Sequence, residues 1–230
     1  MQPFQPCTTS KAPEENEQFF NYYRNAVYTQ DKTIAALVTG VRHLEAGQRT
    51  VILFTSDHGE AFREHGQMGH TNSLFEEEVH VPAWIDAPPS VLTSQERAGL
   101  EALRSQPTWH LDIAPTVLDL LGLLGLPELQ RYTANMTGVS LTRGIANRGT
   151  IAMTNCTQLW GCAFNNWGMM QGFAKVEARP WDADWHCWDV QTDPNESRPT
   201  HSTNCDELSR RSLTLFGALP KDAPEMLEEP

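Results

Sequence analysis

The sequence lacks any apolar run approaching the roughly 18 residues that a membrane-spanning helix requires, which excludes a hydrophobic transmembrane segment within it. Its opening residues, Met1-Gln2-Pro3-Phe4-Gln5-Pro6, also lack the basic and apolar regions of a secretory signal. Basic residues are scarce. Seventeen Lys and Arg stand against 29 Asp and Glu, a net charge of -12, which argues against nucleic acid or an anionic membrane as the main partner. The five cysteines form no C-x-x-C zinc pattern. Four of them, Cys156, Cys162, Cys187 and Cys205, fall in the last third of the chain. That grouping suits two disulfides in an exported protein or a set of buried free thiols, with the connectivity open. Cys7 stands apart, and no internal repeat is present.

What is there is enough for a globular protein: 230 residues, 40% of them hydrophobic, make one large domain or a domain with a small appendage. Residues 1–15 read as loop. From Asn16 to Glu45, Phe20, Tyr23, Val27, Ile34, Val38 and Val41 recur mostly at three- and four-residue steps, predicting a helix with one apolar stripe that ends near Gly47. Asp31 falls on that stripe and is expected at its edge, reaching solvent or a neighbouring N–H.

Val51-Ile52-Leu53-Phe54 follows as a short β-branched and aromatic run, predicting a strand buried on both faces of a parallel sheet. A helix feeding such a strand is an α-to-β unit, and another parallel strand is expected ahead of the helix. None precedes it here, so the chain is expected to start partway through a fold. A short helix over 72–78, a strand over 80–86, a Thr93-x-x-Glu96 capping box and a helix over 111–121 with Asp112 as N-cap come next. Past residue 125, Gly, Asn and Thr dominate. A subdomain boundary is placed near 145, with strands at 151–154, 168–177 and 185–190 in a small antiparallel sheet, a turn at Asp193-Pro194-Asn195-Glu196, and a frayed acidic tail from about residue 220.

The chemistry concentrates in Asp57-His58-Gly59-Glu60, continuing through Glu64-His65-Gly66 and Gly69-His70-Thr71. A carboxylate and an imidazole side by side at the carboxyl end of a strand can reach one divalent cation where the backbone turns sharply, and Gly59 permits that turn. Asp57 and His58 are the candidate metal ligands. His70 is the candidate contact for a substrate's anionic group or for a second metal, and His65 is a weaker candidate. His80 and His110 read as structural.

These elements resemble the sulfatases of the alkaline phosphatase superfamily. The resemblance runs through Tyr22-Tyr23-Arg24-Asn25-Ala26-Val27 and Asp31-Lys32-Thr33-Ile34, then Val51 to Gly59 and Glu64-His65-Gly66. It continues with Glu76-Glu77-Glu78-Val79-His80-Val81-Pro82, Asp112-Ile113-Ala114-Pro115-Thr116 with Leu118, and Gly138-Val139-Ser140-Leu141, and closes on Trp188-Asp189-Val190 and Asp193-Pro194-Asn195-Glu196. It implies an α/β alkaline-phosphatase-like sandwich with a small C-terminal antiparallel sheet subdomain, and hydrolysis of sulfate esters. Asp57 and His58 would then ligate one divalent metal ion, calcium first, with zinc or manganese as the alternative that an imidazole ligand favours. His70 would meet the ester's non-bridging oxygens.

The family's C/S-x-P-x-R nucleophile motif and its earlier acidic pair have no counterpart, and Cys7-Thr8-Thr9-Ser10-Lys11 lacks the Pro and the Arg. The expectation is therefore the C-terminal part of a sulfatase-like enzyme, with the amino-terminal half missing and no turnover by this chain alone. Core residues 16–145 and a subdomain over 146–230 complete that division. The partner is a small-molecule, glycan or lipid ester, and a membrane enters only through a missing amino-terminal segment. The parent is expected to be exported, to the periplasm, the extracellular space or a lysosome-like compartment. Phosphoethanolamine and phosphoglycerol transferases, which share the Asp-His pair, are the alternative. A non-catalytic binding or regulatory protein is the alternative from another class.

Overall fold

The structure is a computed structural model that describes residues 16–70, 73–144, 149–155 and 165–220. The expected loop at 1–15, the acidic tail, and Cys7, Cys156 and Cys162 lie outside the described residues.

The long helix α1 (Asn16–His43) forms where the apolar stripe predicted it, and a 3-10 turn, Glu45–Arg49, carries the chain into β1 (Ile52–Thr55). Gly47 sits in that turn because the backbone carbonyl of Val41 lies where a Cβ would go, 1.9 Å away. Arg42 fastens the junction. Its guanidinium donates to the carbonyls of Gly47 and Thr50, and to the carboxylate and carbonyl of Asp86. Asp31 is exposed, as a stripe-edge residue should be.

β1 departs from the expectation of a doubly buried parallel strand. It pairs antiparallel with β4 (Ala83–Asp86), from Ile52 opposite Asp86 to Thr55 opposite Ala83, and all four of its residues are half-buried. Apolar composition specified the strand; the direction of its neighbour is a tertiary matter that a continuous run of apolar residues does not encode.

The region after β4 is held by polar side chains reaching backbone. Helix α3 (Ser94–Ala102) starts on the Thr93–Glu96 capping box the spacing predicted. Asp112 occupies the N-cap position of α4 (Ile113–Leu120), as predicted, but its side chain does not cap that helix, because it also closes a 3-10 turn, His110–Asp112, in a helical conformation. Its carboxylate instead accepts from the N–H groups of Trp109 and Val139, at 2.7 and 2.9 Å. Thr116 in turn accepts from the N–H of Leu141. Gly138 admits no side chain there, because a Cβ would lie 1.8 Å from the carbonyl oxygen of Leu111. Thus the Asp112–Thr116 and Gly138–Leu141 blocks are one interlocked unit. The short helix α5 (Gln130–Thr133) lies between them in sequence.

The last part is a four-stranded antiparallel meander of β5 (Ile151–Thr154), β6 (Trp167–Gln171), β7 (Ala174–Ala178) and β8 (His186–Asp189). The single strand expected over 168–177 is a hairpin, turned at Gly172 with φ +56°. Helix α6 (Thr203–Phe216), not foreseen from the sequence, begins at the N-cap Ser202 and buries Cys205, Leu208 and Ser212. Cys205 bonds to Cys187 of β8, and Met169, Val176 and Leu208 complete that core.

Candidate metal and oxyanion site

The site begins where β1 runs out of apolar residues. Asp57 is exposed, with its carboxylate bonded by the N–H of His58 at 3.1 Å and the hydroxyl of Ser56 at 3.4 Å. Its own N–H and that of His58 hold its carboxyl below the usual carboxylate range, so it is anionic at neutral pH. His58 bonds the carbonyl of Gly59 through Nδ1, at 2.8 Å. A carbonyl can only accept, so Nδ1 carries a proton, and in the neutral ring Nε2 carries the lone pair. That nitrogen lies 3.7 Å from the Asp57 carboxylate. His110 Nε2, expected to be structural, bonds the carbonyl of Ser56 at 2.7 Å and so fixes the end of β1.

A small hairpin completes the cluster. β2 (Ala61–Phe62) pairs with β3 (Met68–Gly69), with Ala61 opposite Gly69. Extending that register by one residue sets Glu60 opposite His70, and Glu60 Oε2 lies 3.1 Å from His70 Nδ1. The imidazole of His70 stacks on that of His58, ring centres 4.0 Å apart. His58, Glu60 and His70 each bring one donor atom to within 4.8 Å of the others. The sequence placed His58 and His70 at this site but not Glu60, whose signal is the hairpin register set by the tight turn at Gly66.

His65 is placed elsewhere. Its ring stacks on Phe75 at 3.6 Å and its Nδ1 bonds Glu77 at 2.7 Å. His80 pairs with Glu76 and is exposed.

Behind the cluster stands α2 (Glu76–Val79). Gly59 donates its N–H to the carbonyl of Glu78, and a Cβ on Gly59 would sit 2.1 Å from the carbonyl oxygen of Glu77. The glycine of the Asp-His-Gly string is therefore needed for a close approach of backbones. On its far side α2 is tied by charge: Lys175, fully buried in β7, meets Glu76 at 3.0 Å and Glu196 at 2.7 Å. Glu196 also accepts from the N–H of Glu76 and receives the indole N–H of Trp188 on its carbonyl. Burial alone would depress Lys175, but the two glutamates outweigh it and hold the ammonium above its usual range. Beside it Glu177 is fully buried with no hydrogen bond to either oxygen among the described residues, and burial pushes its carboxyl up to about 7. Nothing in the sequence pattern announces this charged knot.

The Sulfatase family profile matches residues 2–123, just over half of the chain. The chain belongs to the sulfatase family. Over 129 residues it is 29% identical to arylsulfatase K of Mus musculus, covering 55% of this chain and 21% of that protein. It is 33% identical to arylsulfatase K of Danio rerio over 117 residues, 51% of this chain and 21% of that one. It is 29% identical to choline-sulfatase of Rhizobium meliloti over 132 residues, 57% of this chain and 23% of that one. In three dimensions it matches a 2-O GAG sulfatase with a TM-score of 0.63 at 17% identity, covering 93% of this chain and 48% of that chain. The same values hold for a sulfatase structure from Bacteroides thetaiotaomicron VPI-5482. The sulfatase fold, alkaline-phosphatase-like with its small antiparallel sheet, is thus that of this chain. The chain spans about a fifth of the curated relatives and about half of the solved ones.

Proposed function

We propose that this chain supplies the metal-binding and oxyanion-binding part of a sulfuric ester hydrolase acting on a small-molecule, glycan or lipid sulfate ester. The supporting observation is the meeting of the Asp57–His58 pair with His70 at the end of β1. The family's divalent ion would be held by Asp57 and His58. The donors fit it: an exposed anionic carboxylate that suits calcium, and an imidazole nitrogen whose lone pair is fixed by the bond to Gly59. Such an ion, when bound, stabilises charge that develops on the ester oxygens.

The protein's own residues do the rest. Asp57 and His58 orient the site, and His70, when its ring carries both protons, donates Nε2–H to a non-bridging sulfate oxygen while Nδ1–H stays on Glu60. Glu60 fixes the plane and protonation of that ring. No C/S-x-P-x-R string occurs in the 230 residues, so this reading assigns them binding and orientation and not the attack on sulfur. We also infer an exported parent, because the Cys187–Cys205 disulfide belongs to an oxidising compartment. Among the described residues no helix is long and apolar enough to cross a membrane.

Binding of an aryl sulfate to the full 230-residue chain at saturating calcium, followed by ligand-observed NMR, tests the reading. Calcium-dependent binding lost in Asp57→Asn and weakened in His70→Gln is expected. Absence of calcium-dependent binding overturns it, and preference for an aryl phosphate moves the chain to the phosphoester branch.

A further inference from the structure

We propose that His58, Glu60 and His70 form a second kind of cation site, a three-donor pocket for a transition metal of the zinc class. It rests on the reading above in that its open coordination position would face the same sulfate oxygens. It shares His58 with the calcium site but adds Glu60 and His70 and does not use Asp57.

Three features carry it. The first is the donor set: two imidazoles and one carboxylate within 4.8 Å of one another match the His2Glu set with which catalytic zinc is held while a fourth position stays open. Calcium prefers six to eight oxygens and gains little from two nitrogens. The second is preorganisation from the outer contacts. The bond from His58 Nδ1 to the carbonyl of Gly59 leaves the Nε2 lone pair as the donor, and such a partner normally orients a metal-bound histidine. The third is the backbone, since the β2–β3 register holds Glu60 opposite His70 and Gly69, with φ +93°, turns the chain there.

Glu60 and His70 hold a hydrogen bond and the two imidazoles stack at 4.0 Å, so the three side chains already converge. A single divalent cation between the three donors replaces the hydrogen bond and satisfies both rings at once. His58, Glu60 and His70 have side-chain exposures of 42, 31 and 45%, so the cation enters from solvent. His70 would then act on the sulfate through the bound ion and not through its own N–H.

The test is titration of the full chain with zinc against a chromophoric chelator, with cobalt as a spectroscopic probe. One zinc per chain is expected, with affinity lowered at least ~10-fold by His70→Gln and by Glu60→Gln, the scale on which loss of even an outer partner is felt. Asp57→Asn should leave zinc affinity nearly unchanged while removing calcium-dependent aryl sulfate binding. Imidazole NMR signals of His58 and His70, and not of His65, should shift with zinc. If Asp57→Asn weakens zinc as much as His70→Gln does, or if the His65 signals move instead, the three-donor site is overturned. In that event calcium-dependent aryl sulfate binding still judges the hydrolase reading separately.

Discussion

Gly59 shows how much a single missing side chain can decide. A Cβ there would lie 2.1 Å from the carbonyl oxygen of Glu77, so Gly59→Ala must push α2 away from the turn that carries Asp57 and His58. The expected cost is about 1–3 kcal/mol of stability, read from the denaturation midpoint, together with weaker metal binding. Glu177 offers a second test at this scale. Its folded-state pKa of about 7 lies above the ordinary 4.5, so the folded state holds a proton that the unfolded state releases between those values. Stability should fall as pH rises from about 4.5 to about 7 and level off above that, and Glu177→Gln should remove this part of the slope in pH-dependent unfolding. Burial sets the shift; the Glu196 and Asp182 carboxylates add to it, and the cations Lys175 and Arg179 oppose it.

At the scale of elements, α2 is the part on which the site leans: four residues long, joined to Gly59 on one side and to the Lys175–Glu196 pair on the other. Lys175→Met removes the cation from a fully buried cluster and leaves the Glu196 carboxylate uncompensated. A loss of about 3–5 kcal/mol is expected in chemical denaturation, since breaking one side of a buried pair costs far more than the intact pair contributes.

The elements also show what was legible beforehand. The Thr93–Glu96 box was readable because both partners lie within one turn. The stripe of α1 predicted a helix and its apolar face, yet none of its residues is buried and Tyr23 and Val27 are 42 and 48% exposed. Periodicity states which face is apolar and says nothing of what covers it. Asp57, His58 and His70 stood out because metal-type residues clustered at a strand end. Glu60 did not, since its role depends on the register of a two-residue pairing. Lys175 and Glu177 were hidden for another reason: charged residues in a strand ordinarily read as its solvent face, and their partners lie elsewhere in the sequence, Glu76 being 99 residues from Lys175.

Across the whole molecule, the C-terminal sheet is held against α2 by the charged knot and by the packing of Phe75 on Met170, Trp188 and Val190, while the disulfide ties α6 to β8. Reduction of Cys187–Cys205 releases a loop closed over 18 residues. It should lower stability by about 3 kcal/mol, seen as a lower unfolding midpoint in dithiothreitol. The site is assembled from residues near one end of β1, so loosening the sheet should weaken it through α2 and through the contact of His65 with the carbonyl of Glu196. The central claim is that the Asp57–His70 stretch holds a metal ion and a sulfate group. The most direct measurement is a crystal structure of the chain grown with calcium as the only divalent cation and soaked with an aryl sulfate. Calcium at ~2.3–2.6 Å from a carboxylate oxygen of Asp57, with the sulfate facing His70, is the expected result. Calcium and sulfate bound away from this stretch, with Asp57 still open to solvent, would contradict it.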